Sequence, residues 1–390
     1  MVSNIKRVSF EITGKCNLHC FYCCRGYLNK KEKIDTEIST TEIIKIIRDA
    51  RKKKCTSFLF TGGEPFVKKD FNLILQECSG CFVEVYSNGT LIAKKKNIEL
   101  INKYITKLTV TIDGLESHDF YRTNSNSIKI LKNIKKIKKN CDVLIKINTL
   151  LNKKSIDDLL CLYKKLKDVG VDEWHIDFPQ LRGRLAAYKG HFAADYSKIG
   201  IALRKVIIEY YKDKKPFYFK IYKVFNSKLN KNTAYSININ ENPCSYKIDK
   251  CIFITSDKKY ILCPSIPSQD IIIGKVDLNS YNDILIKKTK LDFNKIKYSD
   301  LKECINCRYF KLCLGGCRGE AKVLSNSFIK PDLNACSLMH ISEKEIYPFL
   351  PNNISSFYIK SIDFSKRHPK WLNNLDELKT KTQLKYNDSK

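Results

Sequence analysis

No uncharged apolar run in the 390-residue chain reaches the roughly 18 residues needed to span a bilayer, so a membrane partner is not expected. The opening, MVSNIKRVSFEITGKC, lacks the apolar core and small-residue cleavage site of a secretory signal; a start at the encoded Met and a cytoplasmic location are the expectation. Solenoid repeats are absent as well. Arginine is scarce, 11 residues against 60 lysines, and 41 acidic residues face 71 basic ones, which leaves a formal charge of +30. Such a charge attracts phosphates at long range. The lysines, however, run along helix faces, as in Lys135-Lys136 and Lys164-Lys165-Lys167, rather than gathering beside aromatics. Together with abundant Ile and Asn they match the drift of AT-rich coding sequence, and no specific nucleic-acid partner is expected.

What the chain does hold is cysteine, 17 residues, unevenly placed. Four fall between positions 16 and 24 and eight between 244 and 336. In a reducing compartment such clusters serve metal binding or catalysis rather than disulfides. Cys55, Cys78, Cys81, Cys141 and Cys161 are scattered through strand and helix segments and read as buried thiols behaving like small hydrophobes.

Strand-like apolar runs at 5–12, 56–60, 81–86, 107–112, 143–148 and 173–178 alternate with amphipathic helical stretches such as 40–51 and 155–169, the latter ended by Gly170. Six βα units in a row predict an α/β fold with a parallel sheet, curled into a partial (β/α)6 barrel whose ligand sites lie at the C-terminal strand ends. A helix near 195–212 leads through an Asn-rich stretch, 226–242, into the second group of cysteines. The expected division is 1–225 for the barrel, 240–345 for a loop-rich second domain, and 346–390 for an extension whose end, 376–390, is polar.

Directly after the first strand the chain reads Cys16-Asn17-Leu18-His19-Cys20-Phe21-Tyr22-Cys23. Three thiolates on one loop can bind three irons of a cubane and leave the fourth open to a ligand. A zinc knuckle using Cys16, Cys20, Cys23 and either Cys24 or His19 is the plainer alternative. The Cx3Cx2C spacing, with an aromatic before the last Cys, resembles the signature of the radical S-adenosylmethionine (radical SAM) superfamily. In that family the cofactor's methionine amine and carboxylate chelate the open iron, and electron transfer releases a 5'-deoxyadenosyl radical that abstracts hydrogen. Cys24 points away from its neighbour's direction and reads as accessory.

Further loops carry the same resemblance. Gly62-Gly63-Glu64-Pro65 matches the family's GGEP, whose backbone and carboxylate accept from the cofactor's ammonium. Ser87-Asn88-Gly89-Thr90 resembles the family's TNG, and Thr111-Ile112-Asp113-Gly114 its SLDG. His118, Asp119 and Arg122 match HDxxR; Arg122 is expected to pair with a carboxylate, the cofactor's or one of the protein's own. Tyr22 and, more weakly, Asn148 complete the implied cofactor contacts.

Near the C-terminus, Cys304-x2-Cys307-x5-Cys313-x3-Cys317 precedes Cys336, with Cys244, Cys251 and Cys263 upstream. This resembles the SPASM domain. The resemblance implies that Cys244, Cys251, Cys263 and Cys317 hold one auxiliary 4Fe-4S cluster and that Cys304, Cys307, Cys313 and Cys336 hold another, making three with the N-terminal one. A zinc ribbon is the alternative for these eight. The Gly expected five residues before Cys263 is Lys258, which weakens the local hairpin assignment. Three oxidised cubanes on eleven thiolates would remove about five units of positive charge.

Enzymes of this combined type mostly oxidise peptides or proteins, and a minority act on small molecules. Sulfatase maturation is disfavoured because Pro264 stands where those enzymes commonly place an Asp. The first clustered Cys arrives at position 16, leaving no room for an N-terminal peptide-recognition domain, so a separate leader-binding protein is a possible partner beside a flavodoxin or ferredoxin reductant. The leading expectation is oxidative crosslinking of a peptide; small-molecule dehydrogenation and a noncatalytic electron carrier are the alternatives. Asp113, Asp177, Arg182 and Arg184 are the candidates at the cavity end of the strands for a substrate base.

Overall fold

The computed structural model describes residues 5–24, 37–179, 196–228, 237–244, 250–266 and 271–366. Strands β1 (Arg7–Glu11), β2 (Ser57–Thr61), β3 (Phe82–Ser87), β4 (Lys107–Thr111), β5 (Leu144–Leu150) and β6 (Glu173–Asp177) pair in sequence order, each parallel to the last. Between them lie α1 (Thr40–Lys52), α2 (Phe71–Glu77), α3 (Lys95–Tyr104), α4 (Glu116–Tyr121), α5 (Ser127–Asn140) and α6 (Ser155–Val169). Their boundaries follow local chemistry. Ser39 and Glu42 form a capping box at the start of α1, Asn126 caps α5, and Gly170 in the left-handed region ends α6.

The strands alternate strictly. Val8, Phe10, Phe58, Phe60, Val83, Val85, Leu108, Val110, Ile145, Ile147, Trp174 and Ile176 are wholly buried on the helix-facing side. Each such side chain contributes about 1.5–3 kcal/mol of burial free energy. The alternate residues, including Arg7, Glu84, Lys146 and His175, face the concave side of the sheet.

The sheet is larger than the six strands legible in the sequence. After α7 (Tyr196–Lys212), β7 (Tyr218–Ile221) pairs parallel to β6, and β8 (Phe225–Asn226) folds back antiparallel. At the opposite edge β9 (Cys251–Ile254) pairs parallel to β1, and β10 (Lys259–Ile261) and β11 (Ile272–Lys275) extend it antiparallel. The second group of cysteines is thereby attached to the first strand of the barrel. The β9–β10 turn forms without glycine: Lys258 takes a left-handed φ of 61° and its Nζ reaches Glu42 Oε1 at 2.9 Å. That conformation costs a non-glycine residue about 1 kcal/mol, offset here by the hairpin and the ion pair to α1. The remaining helices are α8 (Tyr281–Thr289), α9 (Lys302–Ile305), α10 (Phe310–Cys313), α11 (Arg318–Ser325), α12 (Leu333–Glu345) and α13 (Asn352–Lys360). Among the described residues no helix is long and apolar enough to cross a membrane.

Candidate functional site

The loop after β1 is held by the ends of β2 to β5. Gly63 N donates to Thr13 O at 2.8 Å and Glu64 N to Lys15 O at 2.9 Å. A Cβ on Gly62 would lie 2.3 Å from Thr13 O, and one on Gly63 2.0 Å from Lys15 O, so the two backbones approach as only glycine allows. Glu64 is wholly buried; its carboxylate accepts from Ser87 Oγ at 2.9 Å, Asn88 N at 2.7 Å and Phe66 N at 3.2 Å. Burial pushes it up to about 7 against the lowering effect of those bonds. The carboxylate that the resemblance assigned to a ligand ammonium is thus already engaged inside the protein, tying three loops together. Asn88 Nδ2 reaches Asn17 Oδ1 at 2.9 Å and Cys16 Sγ at 3.9 Å, which places Ser87-Asn88 against the cysteine loop.

On the other side, Asp113 at the end of β4 is wholly buried and accepts from Tyr22 OH, from Arg122 Nε at 2.7 Å and from Leu150 N at 2.9 Å. Arg122 stacks over the Tyr22 ring at 5.1 Å and approaches Cys20 Sγ at 3.9 Å. The carboxylate partner of Arg122 is therefore the protein's own. Asp113 is occupied by three donors, which removes it from the candidate bases. His118 accepts from Asp113 N at 3.3 Å and meets Ser125 Oγ at 2.8 Å; Asp119 accepts from Ser127 N. Within the HDxxR pattern only Arg122 faces the cysteines. Cys16, Cys20 and Cys23 are half-buried and Cys24 is exposed.

Below this rim the concave face is polar. Arg7 bridges to Glu84 at 3.2 Å and Lys107 to Glu173 at 2.7 Å. Higher up the needs are unmet. Among the described residues Asn148 Oδ1 and His175 Nε2, in register across β5 and β6, are buried without hydrogen-bond partners, His175 Nε2 lying 3.7 Å from Glu173 Oε2. Burial and the Lys146, Lys220 and Lys107 charges push His175 down to about 3. Buried Lys146 reaches Tyr86 OH at 3.4 Å and stands over its ring at 5.4 Å, and burial raises Asp177 against Lys146 and Lys220. Thr111 pairs with Asn148 in register, so both stand at the same level of the rim. Of the remaining candidate bases, Asp177 lies at the end of β6, whereas Arg182 and Arg184 fall outside the described residues. Nothing in the sequence pattern singled out Lys146 or His175; only their register across β5 and β6 does.

The C-terminal thiols form two groups. Cys304, Cys307, Cys313 and Cys336 line one cavity with Tyr309, Phe310, Gly315 and Met339. Cys244, Cys263 and Cys317 lie within electrostatic reach of one another. Cys251 opens β9, and Ile261 of β10 pairs with Phe253, so the hairpin returns Cys263 toward the end of the sheet where Cys251 stands. Burial pushes Cys244 and Cys304 up to about 12 and Cys313 to about 11, so as free thiols they are protonated and poor nucleophiles. Asp332 links the groups: its Oδ2 accepts from Cys317 N at 2.8 Å and its Oδ1 caps α12, which carries Cys336.

Four thiols line one cavity and three stand on a braced loop, donor sets that a cubane or a zinc ion could use. Residues 10–166 match the Radical SAM superfamily. The AdoMet-dependent heme synthase of Methanosarcina barkeri is 24% identical over 353 residues, covering 85% of this chain and 96% of that protein. GTP 3',8-cyclases are matched over about half of their length, 50% for that of Clostridium acetobutylicum at 30% identity. In fold, anSMEcpe with bound AdoMet and Cp18Cys peptide superposes with a TM-score of 0.66 at 17% identity, covering 90% of this chain and 99% of that one. SuiB of Streptococcus suis, bound to precursor peptide SuiA, gives 0.63 at 15%, covering 85% and 76%. Most of the parallel barrel, with the GGEP brace and the three-cysteine loop, thus lies within a radical SAM domain, matched over residues 10–166.

Proposed function

We propose that this radical SAM enzyme is a SPASM-type oxidoreductase with three 4Fe-4S clusters that matures a peptide by an oxidative thioether or carbon-carbon crosslink. The observation that carries the reading is the coexistence, in one chain, of a braced three-cysteine loop at the barrel rim with eight further cysteines, four of which line one cavity. Cys16, Cys20 and Cys23 would hold the cofactor-cleaving cluster. Cys244, Cys251, Cys263 and Cys317 would hold the first auxiliary cluster, and Cys304, Cys307, Cys313 and Cys336 the second. With S-adenosylmethionine bound, the N-terminal cluster supplies a 5'-deoxyadenosyl radical. Around it Tyr22, Gly62, Gly63, Pro65, Asn88 and Arg122 shape the loop. Ser87 and Glu64 fix the GGEP turn against β3, and Thr111 and Asn148 offer hydrogen bonds at the rim. Lys146, His175 and Asp177 would meet the substrate, with Asp177 as the base within reach of the concave face. The division at 1–225, 240–345 and 346–390 goes with this reading, as does a flavodoxin or ferredoxin reductant.

A second reading, action on a small molecule, is favoured by the heme synthase relative, which is matched over nearly its whole length. Anaerobic reconstitution with iron and sulfide counting, followed by a 5'-deoxyadenosine assay with dithionite, tests the enzyme class. About twelve irons per chain are expected. Tight zinc without iron would overturn the reading. Co-expression with a short peptide encoded beside the gene then separates the two substrates: a peptide lighter by two hydrogens supports crosslinking, and an unchanged peptide with turnover of an iron porphyrin supports the second.

A further inference from the structure

Arg318 directly follows Cys317 and is wholly buried. Its two terminal nitrogens donate to carbonyls only: Phe328 O and Lys330 O at 2.8 Å each, and Gly315 O. Among the described residues its Nε has no hydrogen-bond partner and no carboxylate makes a direct ion pair with it. The nearby carboxylate of Asp332 is committed to Cys317 N and Ala335 N. Asp332 lies within electrostatic reach of the guanidinium but is shared with those two N–H groups, so further negative charge beside the buried Arg318 stabilises the fold. Gly315, against which the guanidinium rests, lines the cavity of Cys304, Cys307, Cys313 and Cys336. The Arg318 charge also acts on Cys244 of the first group and on Cys304 of the second.

We propose that Arg318 is the shared counter-ion of the two auxiliary clusters, holding both at higher reduction potential and coupling their loading to the folding of the C-terminal region. The role rests on the three-cluster reading above. A cubane on four thiolates is an anion that gains a further negative charge on reduction, and a fixed cation beside it favours that reduced state. Because one guanidinium faces both groups, it also lowers the repulsion between two anions held close together.

The test uses the reconstituted full-length enzyme with Arg318→Gln, Arg318→Met and Arg318→Lys, reading iron content and then potentiometric titration followed by electron paramagnetic resonance. With either neutral variant, both auxiliary signals should become about tenfold harder to reduce, about 59 mV for one electron, while the N-terminal cluster stays in place. Arg318→Lys, which keeps the charge, should stay within about twofold of wild type. Unchanged potentials at about twelve irons, or a shift in one auxiliary cluster only, would sink the shared role and leave the three-cluster reading intact. A wild-type count near four irons would remove that reading and this role with it. Should the neutral variants fail to hold iron, Arg318→Lys decides: retained clusters support a charge role, and equal loss shows that the fork on the carbonyls was what mattered.

Discussion

The two cysteine-rich regions solve the same chemical problem in different ways. At the N-terminus the ligand candidates sit within eight residues on one loop, and the protein holds that loop from outside through Glu64, Asn88, Arg122 and Asp113. In the C-terminal region the eight thiols span positions 244 to 336, come from a hairpin, three helices and their connections, and are buried or half-buried, several within electrostatic reach of the buried Arg318. The first site is preorganised by side chains that remain satisfied without metal. In the second region, on the proposed reading, cluster loading would add negative charge beside a buried guanidinium, a coupling of metal binding to folding.

The largest effect that could break this comparison comes from deleting ligands. Removing Cys16, Cys20 and Cys23 together to Ala should abolish 5'-deoxyadenosine formation and lose about four irons, yet move the thermal midpoint by less than about 3 °C. Removing Cys304 and Cys313 should also lose about four irons but open the C-terminal region to limited proteolysis; equal stability in both variants would end the distinction. Next, Arg122→Met leaves the wholly buried Asp113 carboxylate without its cation. It should cost about 3–5 kcal/mol in urea unfolding of the metal-free protein, because that brace does not depend on the cluster.

Glu64 sharpens the same point through pH. Its ordinary value of 4.5 is raised to about 7 in the fold. Between these values the folded protein holds a proton that the unfolded chain has released, so stability falls as pH rises from about 4.5 to about 7, by up to about 3 kcal/mol. Melting curves across that window should flatten in Glu64→Gln. The smallest effect is expected at exposed Cys24: Cys24→Ala should keep the full iron count and turnover within about twofold, and loss of iron would make it a ligand.

Much of the barrel was legible because its signals are local. The six parallel strands follow period-two alternation, and α1 and α6 follow capping residues and Gly170; each was placed to within a residue or two. Short β7 to β11 carried no comparable pattern, since four-residue strands at sheet edges are defined by their partners rather than by their own periodicity. Lys258 illustrates the limit from the other side: a missing glycine argued against a hairpin that an ion pair to Glu42, more than two hundred residues away, stabilises.

The sequence by itself determined the radical SAM resemblance and the parallel barrel, because motif spacing along one loop and strand periodicity are written in the chain. Only the tertiary structure decided which charges meet. It turned Glu64 inward, gave Asp113 the donors Tyr22, Arg122 and Leu150, and set Arg318 within electrostatic reach of thiols of both groups. Electrostatic energies depend on distance and burial, and neither can be read from residue order when the partners are far apart in sequence.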